Sequence, residues 1–416
     1  MDIVTITLLS ISLILFFGFL AEYLFRKFNV PDVLFLIVLG FVIGPSVLGY
    51  VNPEHLVDIA PVFTTFTLLF LLFDGAFNIN LSSLIKEFSH SFFLTTFNFF
   101  ISSSLITIVM LMFKYSFTVS LFTGFALGGV SSAFVIPILK QVKIKPKLYS
   151  LLTLESALTD VFCIVFSLTV LEVVSLGGFG IRDTFAQISA LFAVAAIVGI
   201  IAGVLWMIIV IKVLKEHNYM IAIAYLILVY VTAEFLQGNG AIATLFFGLV
   251  LYNSKQLSSI IKGITSRVAE KDKKNVIKGD LGVSITTPSE EYFYHQISFF
   301  LKTFFFVYIG ILIDFTDMWA LIIGVILSFV VMGGRYASLV LTHHYEEHDR
   351  NLVNAIFARG LAAAAIAQIA LQQGLPNAEF VGKVIYVVIT GSIVLSSIMV
   401  FIFKMKAGKK HHKHKA

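Results

Sequence analysis

The chain has 416 residues, of which 58% are hydrophobic and 13% are charged, and its mean hydropathy is +0.97. Since globular domains carry about 25% charged residues, this composition excludes a soluble protein and indicates a polytopic membrane protein. The net charge of +5 does not favour a nucleic-acid partner, because the basic residues lie in short loops and at the C-terminus rather than on one amphipathic face.

Apolar segments of about 17 to 25 residues recur along the chain and predict thirteen transmembrane helices. The first segment, 3–25, lacks a basic n-region and an Ala-x-Ala cleavage site, so we expect a retained helix rather than a signal peptide. The lone cysteine, Cys163, forms no intrachain disulfide. The predicted spans are 3–25, 32–50, 59–77, 91–113, 118–139, 149–174, 187–212, 219–237, 240–254, 293–313, 317–341, 351–374 and 379–405.

Lysine-rich loops alternate with loops that carry almost no lysine or arginine, as at 140–147 and 255–278 against 52–58 and 237–240. By the positive-inside rule the lysine-rich loops are cytoplasmic. This predicts a multi-pass protein of the plasma membrane with its N-terminus outside and its C-terminus in the cytoplasm.

Two polar segments interrupt or end this pattern. Residues 254–291 are of mixed charge and too short for a domain with its own core, so we expect a cytoplasmic linker. Residues 405–416 are a short basic, His-rich tail, which could bind a metal but is more simply explained by contact with anionic lipid.

The segment 154–160 of the sixth span places two carboxylates in an apolar run, Glu155 followed by Ser156, and Asp160 preceded by Thr159. Placing an ionisable side chain at this depth in the membrane costs several kcal/mol unless it is paired with an opposite charge or serves a function. On a helix Ser156 and Asp160 share a face, so this strip offers a carboxylate with hydroxyl oxygens nearby. Such a group binds either a hard monovalent cation or a proton. The plainer alternative is that basic partners in the bundle satisfy both acids.

The span before it contains Gly128-Gly129, the pair Ser131-Ser132 and then Pro137. This pattern predicts a helix broken near the membrane midplane, where unwound backbone groups can face an ion. In the second half, Ala358-Arg359-Gly360 before an Ala-rich run predicts a matching broken helix. Paired interruptions of this kind point to a transporter core.

Further charged residues fall inside predicted spans, and we expect the basic ones to compensate the acids. The preferred pair is Glu155 with Arg335, which leaves Asp160 free to titrate. Arg359 either assists there or neutralises the ends of the broken helices, and a purely structural ion-pair network is the alternative for both arginines. Further intramembrane charges are Asp74, Glu234 and Lys302.

Taken in order, several of these motifs resemble the monovalent cation:proton antiporter superfamily, in particular its NhaP-like sodium/proton antiporters, along nearly the whole chain. The matching pieces are Val30-Pro31 through Gly40 to Gly44-Pro45, Phe73-Asp74-Gly75, Glu155-Ser156 with Asp160, Glu234 to Gly240 with Gly248, Phe304-Phe305-Phe306-Val307 to Gly310, and Arg359-Gly360.

The resemblance implies an all-α, NhaA-like fold with inverted repeats, two crossed discontinuous helices and a dimerisation domain. One integral membrane transporter domain would then cover 1–416, with core helices that include 118–174 and 293–374. The resemblance further implies alternating access, with Asp160 as the ion- and proton-binding carboxylate. Its implied neighbours are Ser156, Thr159, Ser131, Ser132 and the site-lining Asp74, and the implied structural charges are Glu155, Arg335, Arg359 and Lys302.

Three positions depart from the family pattern. Thr159 precedes Asp160 where relatives have Asn or Asp, and Ser131-Ser132 replaces the Thr-Asp pair of sodium-selective members, as in potassium-efflux antiporters. Lys302 stands where electrogenic relatives carry a lysine, but Thr159 replaces its usual Asp partner. We therefore expect Na⁺ or Li⁺ exchange for protons, with K⁺/H⁺ exchange as the alternative. One titrating carboxylate predicts electroneutral exchange, unless Lys302 carries a second proton.

Other classes fit the sequence less well. A passive channel needs a continuous polar pore lining, which these clustered polar residues do not supply. An enzyme is not expected, since there is no His-Glu-x-x-His motif and no nucleophile with its base, and no cofactor is implied. His343, His344 and His348 suggest a solvated connector rather than a metal site or pH sensor. The expected partners are the monovalent cation, protons, the lipid bilayer and a second copy in a homodimer.

Overall fold

The computed structural model describes residues 12, 14–21, 23, 31–51, 60–77, 81–142, 144–175, 181–210, 219–254, 288–340 and 346–413, and these ranges contain helices but no strands. A 3₁₀ turn, Tyr336–Val340, follows α11. The α-helices in chain order are α1 Asp32–Ile43, α2 Ala60–Ala76, α3 Leu81–Met112, α4 Phe117–Ala126, α5 Ser132–Gln141, α6 Pro146–Ser175, α7 Ile181–Ile209, α8 Tyr219–Phe235, α9 Gly240–Tyr252, α10 Pro288–Leu312, α11 Met318–Arg335, α12 Glu347–Ala355, α13 Leu361–Gln372 and α14 Ala378–Lys413.

These helices follow the predicted apolar spans closely, and the two spans expected to be broken are each divided, into α4 with α5 and α12 with α13. The all-α fold class with paired discontinuous helices is therefore confirmed. Most of the first span and residues 255–287 of the expected linker lie outside the described residues, so the count of thirteen stays a prediction. α14 continues through most of the segment expected to be a tail.

Six of the described helices contain a stretch that is long and apolar enough to cross a membrane. Large apolar side chains on the surface agree with a lipid environment, since Phe235 is 84% exposed and Met112 is 76% exposed. The chain is an integral membrane protein. The six stretches are Phe92–Met112, Leu148–Ser175, Ser189–Ile209, Tyr292–Leu312, Met318–Arg335 and Ala378–Phe403.

The first of two compact units comprises Met1–Thr67, Ser89–Gly178 and Phe299–Ala416. It holds both broken helices and most of the predicted core ranges. Within it α1 and α10 touch backbone to backbone, because a Cβ on Gly40 would collide with the carbonyl of Val307 and one on Gly310 would lie 2.8 Å from the amide nitrogen of Phe41. This contact gives a physical reason for the two glycines in the family motifs.

The second unit comprises Leu68–Phe88 and Phe179–Ser298, and it contains α7, α8 and α9. An aromatic cluster packs its interior, with the ring of Phe73 stacked on Phe247 at 5.8 Å and edge-on to Tyr294 at 5.2 Å. Glu234, at the end of α8, accepts a hydrogen bond of 2.8 Å from the backbone N–H of Gly240. This carboxylate therefore holds the start of α9, where unpaired N–H groups and the helix dipole favour an acid.

Candidate functional site

The two helix breaks lie against each other in the first unit. Residues 127–131 separate α4 from α5, and residues 356–360 separate α12 from α13. The backbone N–H of Ser131 donates a hydrogen bond of 2.9 Å to the carbonyl of Ala358, which joins the two interruptions directly. Gly360 has no room for a side chain, because Ser131 occupies the space that its Cβ would take. Both breaks are therefore fixed by a mutual contact.

Asp160 is a residue of α6, and its side chain lies next to the first residue of α5. Its Oδ2 accepts two hydrogen bonds from Ser132, one of 2.5 Å from the hydroxyl and one of 3.2 Å from the backbone N–H. That N–H is one of the groups a helix leaves unpaired at its first turn, where the dipole also favours a negative charge. Asp160 is partly exposed, whereas Glu155, Ser156 and Thr159 are buried. The carboxylate is thus held in place at the first turn of α5.

No basic partner compensates Asp160 in the part of the chain that the structure describes, since no lysine, arginine or histidine nitrogen lies within 4.0 Å of its carboxylate. A carboxylate without a fixed counter-ion inside an apolar helix requires either a proton or a mobile cation. Carboxylate and hydroxyl oxygens are ligands that hard cations prefer. Asp160 with Ser132 therefore meets the chemical requirement for exchanging the two.

Two other side chains of α6 hold the unwound segment between α4 and α5. Thr159 Oγ1 accepts a hydrogen bond of 3.0 Å from the N–H of Val130, and Cys163 Sγ accepts one of 3.1 Å from the N–H of Gly129. These contacts satisfy N–H groups that the break leaves without helical partners. The hydroxyl of Ser156 instead donates to the carbonyl of Thr153, at 3.0 Å, within its own helix. Of the expected hydroxyl neighbours, only Ser132 hydrogen-bonds Asp160 among the described residues.

Arg359 provides the positive charge between the two breaks. Its Nη1 donates to the carbonyls of Gly128, at 3.0 Å, and Gly129, while its backbone N–H donates to Ser392 Oγ at 2.9 Å. The side chain is only 2% exposed. Of the two roles considered for Arg359, this geometry matches the neutralisation of a broken-helix end, since carbonyls at the C-terminal side of α4 carry partial negative charge.

Glu155 and Arg335 form a buried ion pair. Arg335 Nη1 and Nη2 donate to the two carboxylate oxygens at 2.5 and 2.8 Å, and Asn98 Nδ2 donates to Glu155 Oε1 at 2.9 Å. Arg335 Nε also donates to the carbonyl of Val353 at 2.9 Å. Such a bidentate pair with further hydrogen bonds fixes α6 to α11 and α12. Glu155 thus has the partner preferred from the sequence. Arg335 compensates its charge, and Asp160 takes no part in this ion pair.

Glu155 pairs with Arg335 as preferred from the sequence, whereas Lys302 pairs with an acid that was not among its expected partners. Lys302 Nζ lies 2.9 Å from Oδ2 of Asp32, a buried acid in the first turn of α1 that the sequence analysis did not consider. The carboxylate of Asp74 lies 2.9 Å from Nδ1 of His295 in the second unit. Asp32 follows Pro31 at a helix start, so its position resembles an ordinary N-terminal acid and gives little sign of a buried pair.

The sequence matches known transport proteins along most of its length. Residues 11–406 match the family model described as sodium/hydrogen exchanger, transmembrane. The chain is 23% identical over 381 residues to the K(+)/H(+) antiporter NhaP2 of Shewanella oneidensis, covering 89% of this chain and 61% of that protein. It is 25% identical over 253 residues to the Na(+)/H(+) antiporter 1 of Methanocaldococcus jannaschii, covering 58% of each chain. The chain thus spans about three fifths of these relatives.

A solved structure has the same fold. The sodium proton antiporter MjNhaP1 from Methanocaldococcus jannaschii at pH 8 superposes with a TM-score of 0.74 at 19% identity, over 95% of this chain and 100% of that one. The likeness agrees with the predicted NhaA-like arrangement of broken helices. Together with the match over 11–406, it shows that the chain belongs to the sodium/hydrogen exchanger family.

Proposed function

We propose that this protein is a secondary antiporter that exchanges a monovalent cation for a proton, with Asp160 binding one or the other in competition. The observation that carries the proposal is a carboxylate at the junction of two broken helices, held by Ser132 and without a basic partner among the described residues. Because the other buried acid of α6 is already compensated by Arg335, a single group changes its charge during exchange.

Na⁺ is the first candidate substrate, and Li⁺ is expected to follow it, because family membership and the antiporter of known structure both favour sodium. K⁺ is the second candidate, favoured by the NhaP2 relative, which is named as a K(+)/H(+) antiporter, and by Ser131-Ser132 in the first break. Two serines provide neutral oxygens where sodium-selective relatives place a carboxylate. A site with one negative charge fits a single monovalent cation.

One titrating carboxylate gives one proton per cation, so transport is electroneutral and independent of an imposed membrane potential. Lys302 does not supply a second proton in this scheme, because it is paired with Asp32. Asp160 carries the cation or the proton through alternating access, while Arg359 and Thr159 keep the breaks in place. We further propose a homodimer in the plasma membrane, with the N-terminus outside and the C-terminus in the cytoplasm.

The experiment is cation-induced dissipation of a preset pH gradient in proteoliposomes, with Na⁺, Li⁺ and K⁺ tested separately. Asp160→Asn should abolish the response to every cation. Glu172→Gln is the matched control, since it removes the same charge from the same helix about 18 Å along its axis, and it should retain activity. A folded parent protein that dissipates no gradient, or an Asp160→Asn variant that retains exchange, contradicts the proposal.

A passive channel is the competing function, and the same vesicles separate the two. A channel carries net charge, so its flux follows the membrane potential and continues when there is no pH gradient. Strong dependence on an imposed potential would also support electrogenic exchange. In that case Lys302→Met distinguishes a channel from an antiporter that uses a second proton carrier, because only the antiporter would change its coupling.

A further inference from the structure

A cavity of about 470 Å³ opens on the first unit, away from the breaks. It lies where the ends of α1, α10, α13 and α14 meet. The volume far exceeds the roughly 30 Å³ that one water molecule occupies in the liquid, so it can hold a hydrated ion. Its lining includes Pro45, Ser46, Ile313, Gln368, Gly382 and Tyr386.

The mouth of this cavity carries an ion cluster with net negative charge. Lys383 Nζ lies 3.1 Å from Asp314, 3.6 Å from Asp317 and 3.6 Å from Glu379. Thr316 donates to Asp314 from its hydroxyl, at 2.5 Å, and from its backbone N–H, at 2.9 Å. These hydrogen bonds, with Lys383, hold the pKa of Asp314 below its ordinary value. Three carboxylates against one ammonium attract cations to the mouth.

Two lining residues, Gln368 and Tyr386, form with Tyr308 a polar contact between three helices, which we define as the cavity floor. Tyr308 on α10 donates to Gln368 Oε1 at 3.4 Å, and Gln368 Nε2 on α13 donates to the hydroxyl of Tyr386 on α14. Gln368 is 6% exposed and Tyr386 is 4% exposed. Because these side chains are joined by hydrogen bonds, the contact can exchange its partners for water when the helices move apart.

The floor lies close to the candidate site along α13. This helix begins at Leu361, directly after the second break, and Gln368 follows seven residues later. At 1.5 Å per residue the two positions are separated by about 10 Å along the axis. Along the divided helix α12–α13, Glu346 directly precedes the first residue and pairs with Lys145 at 2.6 Å, whereas the lining residue Leu371 lies in the last turn, at the opposite end. The lysine-rich loop at 140–147 is the predicted cytoplasmic side.

We propose that this cavity is the outer antechamber through which the monovalent cation passes between the extracellular solution and Asp160. The contact of Tyr308, Gln368 and Tyr386 is the barrier that closes it in this conformation. The inference rests on the proposed antiport, since it names the route by which the same site is reached. The carboxylates at the mouth concentrate the cation, and the barrier prevents simultaneous access from both sides.

Cysteine accessibility tests the route. Gly382→Cys is suited to it, because an added Cβ meets nothing closer than 3.8 Å, and the native Cys163 is only 2% exposed, so the parent should not react. A cationic, membrane-impermeant thiol reagent applied outside intact cells should modify Gly382→Cys and abolish its exchange. Glu346→Cys, at the opposite end, should react only in inside-out vesicles.

A second variant tests the charge. Asp314→Asn combined with Glu379→Gln should raise the KM for external cation roughly tenfold at low ionic strength, with an unchanged maximal rate. Choline chloride near 1 M should remove the difference by screening.

Modification of Gly382→Cys from the cytoplasmic side only, or modification from outside that leaves full activity, contradicts the proposed antechamber. An unchanged KM at low ionic strength overturns the role of the mouth. Absence of exchange in the parent would instead contradict the antiport function, and labelling would still report which side the cavity faces.

Discussion

Removal of Arg335 should destabilise the protein more than any single change at its surface. Glu155 and Arg335 are 1% and 4% exposed, and two of the three hydrogen bonds to the Glu155 carboxylate come from Arg335. Arg335→Met leaves this carboxylate buried with Asn98 as its remaining donor. Breaking a buried pair in this way costs about 3–5 kcal/mol, since the lost charge interaction is not replaced by water.

A double variant separates the ion pair from the individual charges. In Glu155→Leu combined with Arg335→Met, no charge is left uncompensated, and the remaining penalties are the unpaired Asn98 amide and the carbonyl of Val353, about 1–3 kcal/mol each at most. The double variant should therefore be more stable than Arg335→Met alone. Because the pair is structural in this account, the double variant should also retain cation/proton exchange.

Thermal unfolding in detergent measures the effect, with a decrease in midpoint on the order of 10 °C expected for Arg335→Met. Glu346→Gln serves as the control, because it breaks an ion pair of similar length between exposed side chains and leaves Lys145 beside Asp349, and its midpoint should not change measurably. An unchanged midpoint in Arg335→Met would refute the reasoning. Loss of exchange in a stable double variant would mean that Glu155 takes part in transport.

Three further outcomes follow from the geometry. Arg359→Met should lower stability by about 3 kcal/mol, because the carbonyls of Gly128 and Gly129 lose a charged donor, and Arg359→Lys should recover part of it in the same unfolding assay. Gly40→Val should cost about 1–3 kcal/mol through overpacking against Val307, whereas Gly333→Ala, with no atom within 4 Å of its added Cβ, should cost nothing measurable. Thr316 and Lys383 hold the pKa of Asp314 below 3.8, so Asp314 contributes stability above about pH 4 that is lost as the pH falls further. Thr316→Val should therefore reduce the acid-dependent decrease of the unfolding midpoint, measured from pH 5 downwards.

The sequence predicted the helices and the breaks because both depend on local chemistry. Apolar length determines where a helix can span a bilayer, and Gly128, Gly129 and Gly360 are poor helix formers at positions where the helices do stop. The position of Glu155 and Asp160 within one helix was predicted in the same way. These features need no knowledge of which other helix lies nearby.

The partners of the charged and polar groups were harder to predict, because they depend on which helices pack together. Lys302 pairs with Asp32, 270 positions away in the chain, rather than with an acid of the family motifs. Helical spacing placed Ser156 beside Asp160, but its hydroxyl satisfies a carbonyl in its own helix, as serine commonly does. Cys163 gave no signal as a lone cysteine, yet its sulfur accepts from Gly129 at the break.

The central claim is that one carboxylate binds either a proton or a cation, and proton release on cation binding tests it most directly. Purified protein in weakly buffered detergent solution is titrated with Na⁺, Li⁺ or K⁺ while a pH indicator records released protons and calorimetry records binding. The account predicts about one proton released per cation bound by the parent, and neither binding nor release in Asp160→Asn. Cation binding without proton release, or equal release in Asp160→Asn, would contradict it.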